Sequence, residues 1–223
     1  MHRAIICAGG LALAACNSVP TGASVAPGQL GNGGFAFECD DSVACDRYSH
    51  TAKTFPDAVA LGSTFRVRYV AKGSSDATSV TVGSVGDWFT PALRGLSAQK
   101  KGWGTFVARD NAGKILDFVT VPVVSADQIV VYDAAYVGDT PTRVTSVKLG
   151  VGDTKSFRAL ARRGTDDLAG MLAYDWSAPA TGVVQIDAQA SGKVAITGIG
   201  AGTTRVTVEG ASYKQTLDVE VTP

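Results

Sequence analysis

Short runs of alternating apolar and polar residues, separated by glycine-rich turns, recur along most of this chain. Phe65, Val67 and Tyr69 fall on one side of an extended segment, and Arg66 and Arg68 on the other. That period of two is expected of a strand with one buried and one solvated face. The same reading predicts strands over 61–70, 79–84, 89–93, 102–109 and 115–124. Asp110-Asn111-Ala112-Gly113 supplies hairpin-turn chemistry between the last two, and Pro122 marks an edge position or a strand end. A second series follows over 128–132, 144–149, 155–163, 174–177, 183–187, 193–197, 203–208 and 216–221. In the last of these, Leu217, Val219 and Val221 alternate with Thr216, Asp218, Glu220 and Thr222. Turn signals about every 8–12 residues are the spacing of a sandwich, so the fold class is all-β.

The pattern is different at the start. His2-Arg3 precedes an apolar run from Ala4 to Leu13, a signal-peptide arrangement too short to span a bilayer. Leu13-Ala14-Ala15-Cys16 resembles the box of bacterial lipoproteins. The resemblance implies cleavage after residue 15 and a diacylglyceryl group on the Cys16 thiol, making membrane lipid a partner. The competing reading is an ordinary secretory signal with a chance cysteine beside its cut site. Residues 16–34, rich in Gly, Pro, Ser, Thr, Ala and Asn, read as a flexible tether. A random chain of that length spans about 23 Å, and at most about 60 Å when stretched. Asn17, with no aspartate after the lipidated cysteine, favours the outer over the inner membrane in systems resembling the enterobacterial sorting rule.

What remains divides into stretches 35–125 and 126–223, each the size of one small sandwich. In the second stretch several segments resemble the bacterial immunoglobulin-like domain of group 2. Val147 to Thr154 matches the opening strand and turn, Phe157 to Ala161 the second strand, and Tyr174-Asp175-Trp176-Ser177 the tryptophan strand. The most specific match is Gly192 to Val208, a short hairpin, a Gly-rich corner and an alternating strand. The resemblance covers about 80 residues. It implies two immunoglobulin-like β-sandwiches in tandem, with Trp176 filling the centre of the second. The first stretch matches less closely.

Composition narrows the chemistry. Lys plus Arg equals Asp plus Glu at 20 each, so no field of one sign draws nucleic acid. Cys7 lies in the signal and Cys16 would carry lipid, leaving Cys39 and Cys45, which an oxidising envelope would join as a disulfide. Only His50 survives signal removal, too few ligands for zinc, and Asp40, Asp41 and Asp46 lack the spacing of a calcium loop, so no metal or cofactor is expected. A histidine-dependent triad would have to use His50, which reads as a loop residue. Ser97-Ala98-Gln99-Lys100 fits Ser-x-x-Lys without the boxes that accompany it in penicillin-binding enzymes. Asp166-Asp167 reads as a solvated turn. No catalytic residue is assigned.

Trp88 and Trp103 flank the stretch from Arg94 to Lys101 and are the candidate ligand platforms, since an exposed indole stacks on a sugar face; core filling is the more ordinary use of such residues. The expectation is a lipid-anchored envelope protein with a structural, adhesive or protein-interaction role. Its partner would be an envelope protein or a polysaccharide, and the alternative is a carbohydrate-binding module.

Overall fold

The computed structural model describes residues 26–39, 55–73, 80–93, 95–134, 142–179, 182–189 and 192–223. Every regular element among them is a strand. The first group comprises β1 (Ala26–Pro27), β2 (Gly33–Glu38), β3 (Val59–Ala60), β4 (Thr64–Ala71), β5 (Thr81–Val85), β6 (Phe89–Ala92), β7 (Gly95–Ala98), β8 (Gly102–Arg109) and β9 (Ile115–Val124). The second comprises β10 (Gln128–Asp133), β11 (Ser146–Gly150), β12 (Thr154–Arg163), β13 (Asp166–Asp167), β14 (Asp175–Ser177), β15 (Val184–Ala188), β16 (Lys193–Gly198), β17 (Gly202–Gly210) and β18 (Tyr213–Thr222).

Each group folds into two sheets. The first pairs as β1-β2-β4-β7-β6 and β3-β9-β8-β5. The second pairs as β10-β12-β16-β15, with β13 on β12, and β11-β18-β17-β14. The fold is therefore all-β, two immunoglobulin-like sandwiches in tandem. Both cores follow from strand alternation but are filled differently. In the first, Phe37 stacks on Phe65 at 4.6 Å between ring centroids and Phe89 on Phe106 at 4.5 Å, with Phe35 and Tyr69 beside them. The second is largely aliphatic, with Ile129, Ile196, Val206, Leu217 and Val219 around Phe157 and Trp176.

One hydrogen-bonded frame occurs in both sandwiches. In the first, Leu61 N donates to Val124 O (2.8 Å), Gly62 N to Ala98 O (2.7 Å), Ser63 N to Ala60 O (3.1 Å) and Ala98 N to Ser63 O (2.9 Å). In the second, Val151 N donates to Thr222 O (3.0 Å), Gly152 N to Gly198 O (2.8 Å), Asp153 N to Gly150 O (3.1 Å) and Gly198 N to Asp153 O (3.0 Å). Gly62 and Gly152 hold φ of +83° and +90° at the same place in the turn, a conformation that glycine adopts without Cβ strain. In both sandwiches the strand just before this turn (β3, β11) runs parallel to the closing strand (β9, β18). The weaker sequence match of the first sandwich thus hides the same backbone plan.

Of the stretch 16–34 expected as a tether, the described part, 26–34, is folded instead. Ala26 is buried and pairs with Phe35, and Pro27 pairs with Gly34. The cause lies far along the chain. Asp117, fully buried, accepts the amides of Leu30 (2.7 Å) and Asn32 (2.9 Å), while Gln29 N donates to Phe118 O (2.9 Å). Residues 28–32 are thereby folded onto the start of β9. Pro122 sits opposite Trp103 of β8, and β3 pairs on the other side of β9 only at Val123 and Val124. The proline thus lies just before that second pairing, where a missing N–H costs no ladder bond.

Candidate interaction surfaces

Where the sandwiches meet, a segment of the second makes two isolated backbone bridges to the first, Val59 with Ala169 and Thr64 with Met171. The segment Leu168–Leu172 follows β13 and lies along β3 and the start of β4. Ala60 N donates to Ala169 O (2.9 Å) and Ala169 N to Ala58 O (3.0 Å). Thr64 N donates to Met171 O (2.8 Å) and Met171 N to Thr64 O (2.9 Å). Between these pairs Gly170 takes φ +99°, and a Cβ there would overlap the side chain of Ser63. Ala60, Ala126, Ala161, Leu168 and Leu172 form a buried apolar cluster around the contact, with Val124, Tyr174 and Ala211 packed against it. Reciprocal backbone bonds fix register and burial excludes water, so this is an ordered joint.

Of the acidic pair expected in a solvated turn, Asp166 is exposed, whereas Asp167 belongs to the flank of this region. Asp167 is half of β13, its side chain 17% exposed. Its carboxylate accepts the Tyr132 hydroxyl (3.1 Å) and lies 2.9 Å from Arg162 Nε, as an ion pair whose N–H is not aimed along the contact. Burial foremost, and the Asp167 charge next, push the Tyr132 hydroxyl up to about 12. Burial likewise raises Tyr174 well above the usual phenol range. Next to Tyr174, a shallow groove of about 540 Å³ is lined by Asp175, Glu209, Ser212, Tyr213 and Lys214.

The three tryptophans have three different fates. Trp176 is buried in the second core. Trp88 is half-buried against the first core, with the Lys100 ammonium 5.5 Å from its ring centroid. That ammonium also lies 2.9 Å from Asp87, and this hydrogen bond first holds the Asp87 carboxyl below its ordinary range. Trp103 is 67% exposed on the outer face of β8. Its sheet neighbours on that face are Pro122 and, one row away, Thr105, whose hydroxyl lies 3.2 Å from that of Thr120. Trp88 and Trp103 thus do not form one platform. Of the three tryptophans, Trp103 is the one whose ring is exposed to solvent.

The Ser-x-x-Lys match dissolves in three dimensions. Ser97 is buried and its hydroxyl accepts Gln99 Nε2 (2.7 Å), whereas Lys100 turns to Asp87. Cys39 lies beyond the end of β2, its sulfur 3.9 Å from the Thr64 carbonyl oxygen. Cys16, Asp40, Asp41, Cys45, Asp46 and His50 lie outside the described residues. The joint escaped sequence reasoning because β3 is two residues long and Leu168-Ala169-Gly170-Met171 carries no alternation. Gly170 inside an apolar stretch was the one available signal.

No family model matches the chain, and no curated protein matches it. Among solved structures, domains 4 and 5 of the S-layer protein SbsC are 16% identical, with 66% of this chain and 78% of that chain covered and a TM-score of 0.34. The Yersinia pseudotuberculosis adhesin InvE is 15% identical (75% of this chain, 57% of that chain, TM-score 0.34). The Escherichia coli adhesin FdeC is 18% identical (74% of this chain, 60% of that chain, TM-score 0.32). At this distance the chain's own strand pairing, rather than these likenesses, defines its fold.

Proposed function

We propose that this chain is a lipid-anchored protein of the bacterial envelope with a non-catalytic, structural or adhesive role, more specifically in the outer membrane. The backbone-bridged, apolar joint carries the reading: two sandwiches held together in this way keep a surface at a fixed distance, which a spacer or adhesive stalk requires and a flexible pair would not supply. The lipoprotein-like Leu13-Ala14-Ala15-Cys16 supports the anchor. The frame repeated around Gly62 and Gly152 supports domains of one kind in both halves, divided near 125/126, and the segments of the second that resemble the group 2 domain support that type for it. A Cys39–Cys45 disulfide would close the segment after β2. Metabolic labelling with a clickable palmitate analogue tests the anchor: wild type takes up label and Cys16→Ser does not. In-cell crosslinking of the same two forms then tests the role. A discrete envelope partner captured only by the anchored form supports adhesion or assembly, and a label-free, freely soluble wild type overturns the reading.

The exposed ring of Trp103 favours a second reading, a carbohydrate-binding module. A glycan array on wild type and Trp103→Ala tests it: binding lost in the variant supports that reading.

A further inference from the structure

The end of the first sandwich opposite the joint combines exposed aliphatic side chains with cations. Leu30 is 54% exposed in the turn held by Asp117, and Ile115 is 44% exposed at the start of β9. Lys72 follows β4, Lys114 precedes β9 and Arg109 ends β8, all three exposed. These pieces form one surface because Lys72 N donates to Asn32 O (2.8 Å) and Asn32 Nδ2 to Leu116 O (2.7 Å). The acid of the adjoining hairpin, Asp110, is engaged inward, accepting the amides of Ala112 and Lys114, both at 2.9 Å. The described chain enters at Ala26, just before the turn, with nine residues between it and Cys16. Ten residue steps reach at most about 35 Å. The opposite end of the molecule also exposes apolar residues, Val151 (50%) and Ile199 (47%), but Asp153 lies in that turn and the whole second sandwich separates it from Ala26.

We propose that this pole of the first sandwich docks on an anionic lipid surface, with Leu30 and Ile115 entering the headgroup region and Lys72, Arg109 and Lys114 facing phosphates. Aliphatic tips between cations suit an interface that is apolar inside and anionic outside, and a short tether keeps the pole within reach. Each cation near an anionic leaflet strengthens such contact about fivefold. The proposal rests on the anchor reading given above, and the test separates the two.

The photo-crosslinking residue p-benzoylphenylalanine is placed at Leu30, Ile115 or Val151 of the full chain. The protein is held on vesicles of phosphatidylethanolamine and phosphatidylglycerol by its native acyl groups. If the intact mass shows none, the anchor reading fails, and the Cys16 thiol is coupled to a maleimide lipid instead. Irradiation is then read as the mass of one added phospholipid. Adducts at positions 30 and 115 at least tenfold above position 151, falling about fivefold with Lys72→Gln and again with Lys114→Gln, support the proposal. Equal low yields at all three positions overturn it, as does crosslinking to protein rather than lipid when the experiment is repeated in cells.

Discussion

The side chain of Ser63 in the first sandwich occupies the space that a Cβ on Gly170 of the second would need, and Gly170 holds φ +99° there. Gly170→Ala therefore combines backbone strain with a steric overlap and is expected to destabilise the joint by about 2 kcal/mol or more. Hydrogen exchange checks this: amides of Ala60, Thr64 and Met171 should lose protection while those of β17 keep theirs.

Asp117 acts as the clamp for the start of the fold. Its buried carboxylate accepts the amides of Leu30, Asn32 and Phe118. Asp117→Ala leaves these donors without a protein partner, a loss of about 3 kcal/mol. Denaturant unfolding should show that loss, and limited proteolysis should open the 26–33 segment before the second sandwich is cut.

The tryptophans separate stability from surface chemistry. Trp176→Ala removes a large side chain from the second core and should cost about 3–5 kcal/mol. Trp103→Ala, on an exposed face, should stay within about 0.5 kcal/mol of wild type. Thermal unfolding of the two variants checks the contrast.

Two tyrosine hydroxyls, those of Tyr69 and Tyr132, are pushed up to about 12, in each case foremost by burial. A group whose folded pKa is raised contributes stability that is complete below its unfolded pKa and lost as pH rises through the folded value. Stability should therefore fall between about pH 10 and pH 12. Tyr132→Phe removes one of these linkages, so its stability should decline less steeply over that window. Denaturant midpoints measured across the window check this.

Much of the fold was legible because each sandwich strand carries its own alternation. The bounds 102–109 and 115–124 coincide with β8 and β9, and the hairpin at Asp110–Gly113 stands where its turn chemistry put it. The elements that escaped are those whose reasons are not local. The strand β1 exists because Phe35 pairs with it and because Asp117, more than eighty residues away, holds the next turn. The strand β3 is too short for any period, and its pairing with Ala169 depends on a neighbouring sandwich. Among site residues, the core place of Trp176 was implied by the resemblance of 174–177 to a tryptophan strand. The difference between half-buried Trp88 and exposed Trp103 came from Gly102, Lys100 and the sheet face, which composition does not order.

The most direct test of the account is a distance measurement across the joint. Nitroxide labels on Thr81 of the first sandwich and Lys155 of the second, read by pulsed electron resonance, should give one narrow distance distribution that broadens in Gly170→Ala. A broad distribution in the unaltered chain would contradict the locked joint and, with it, the reading of this protein as a rigid spacer.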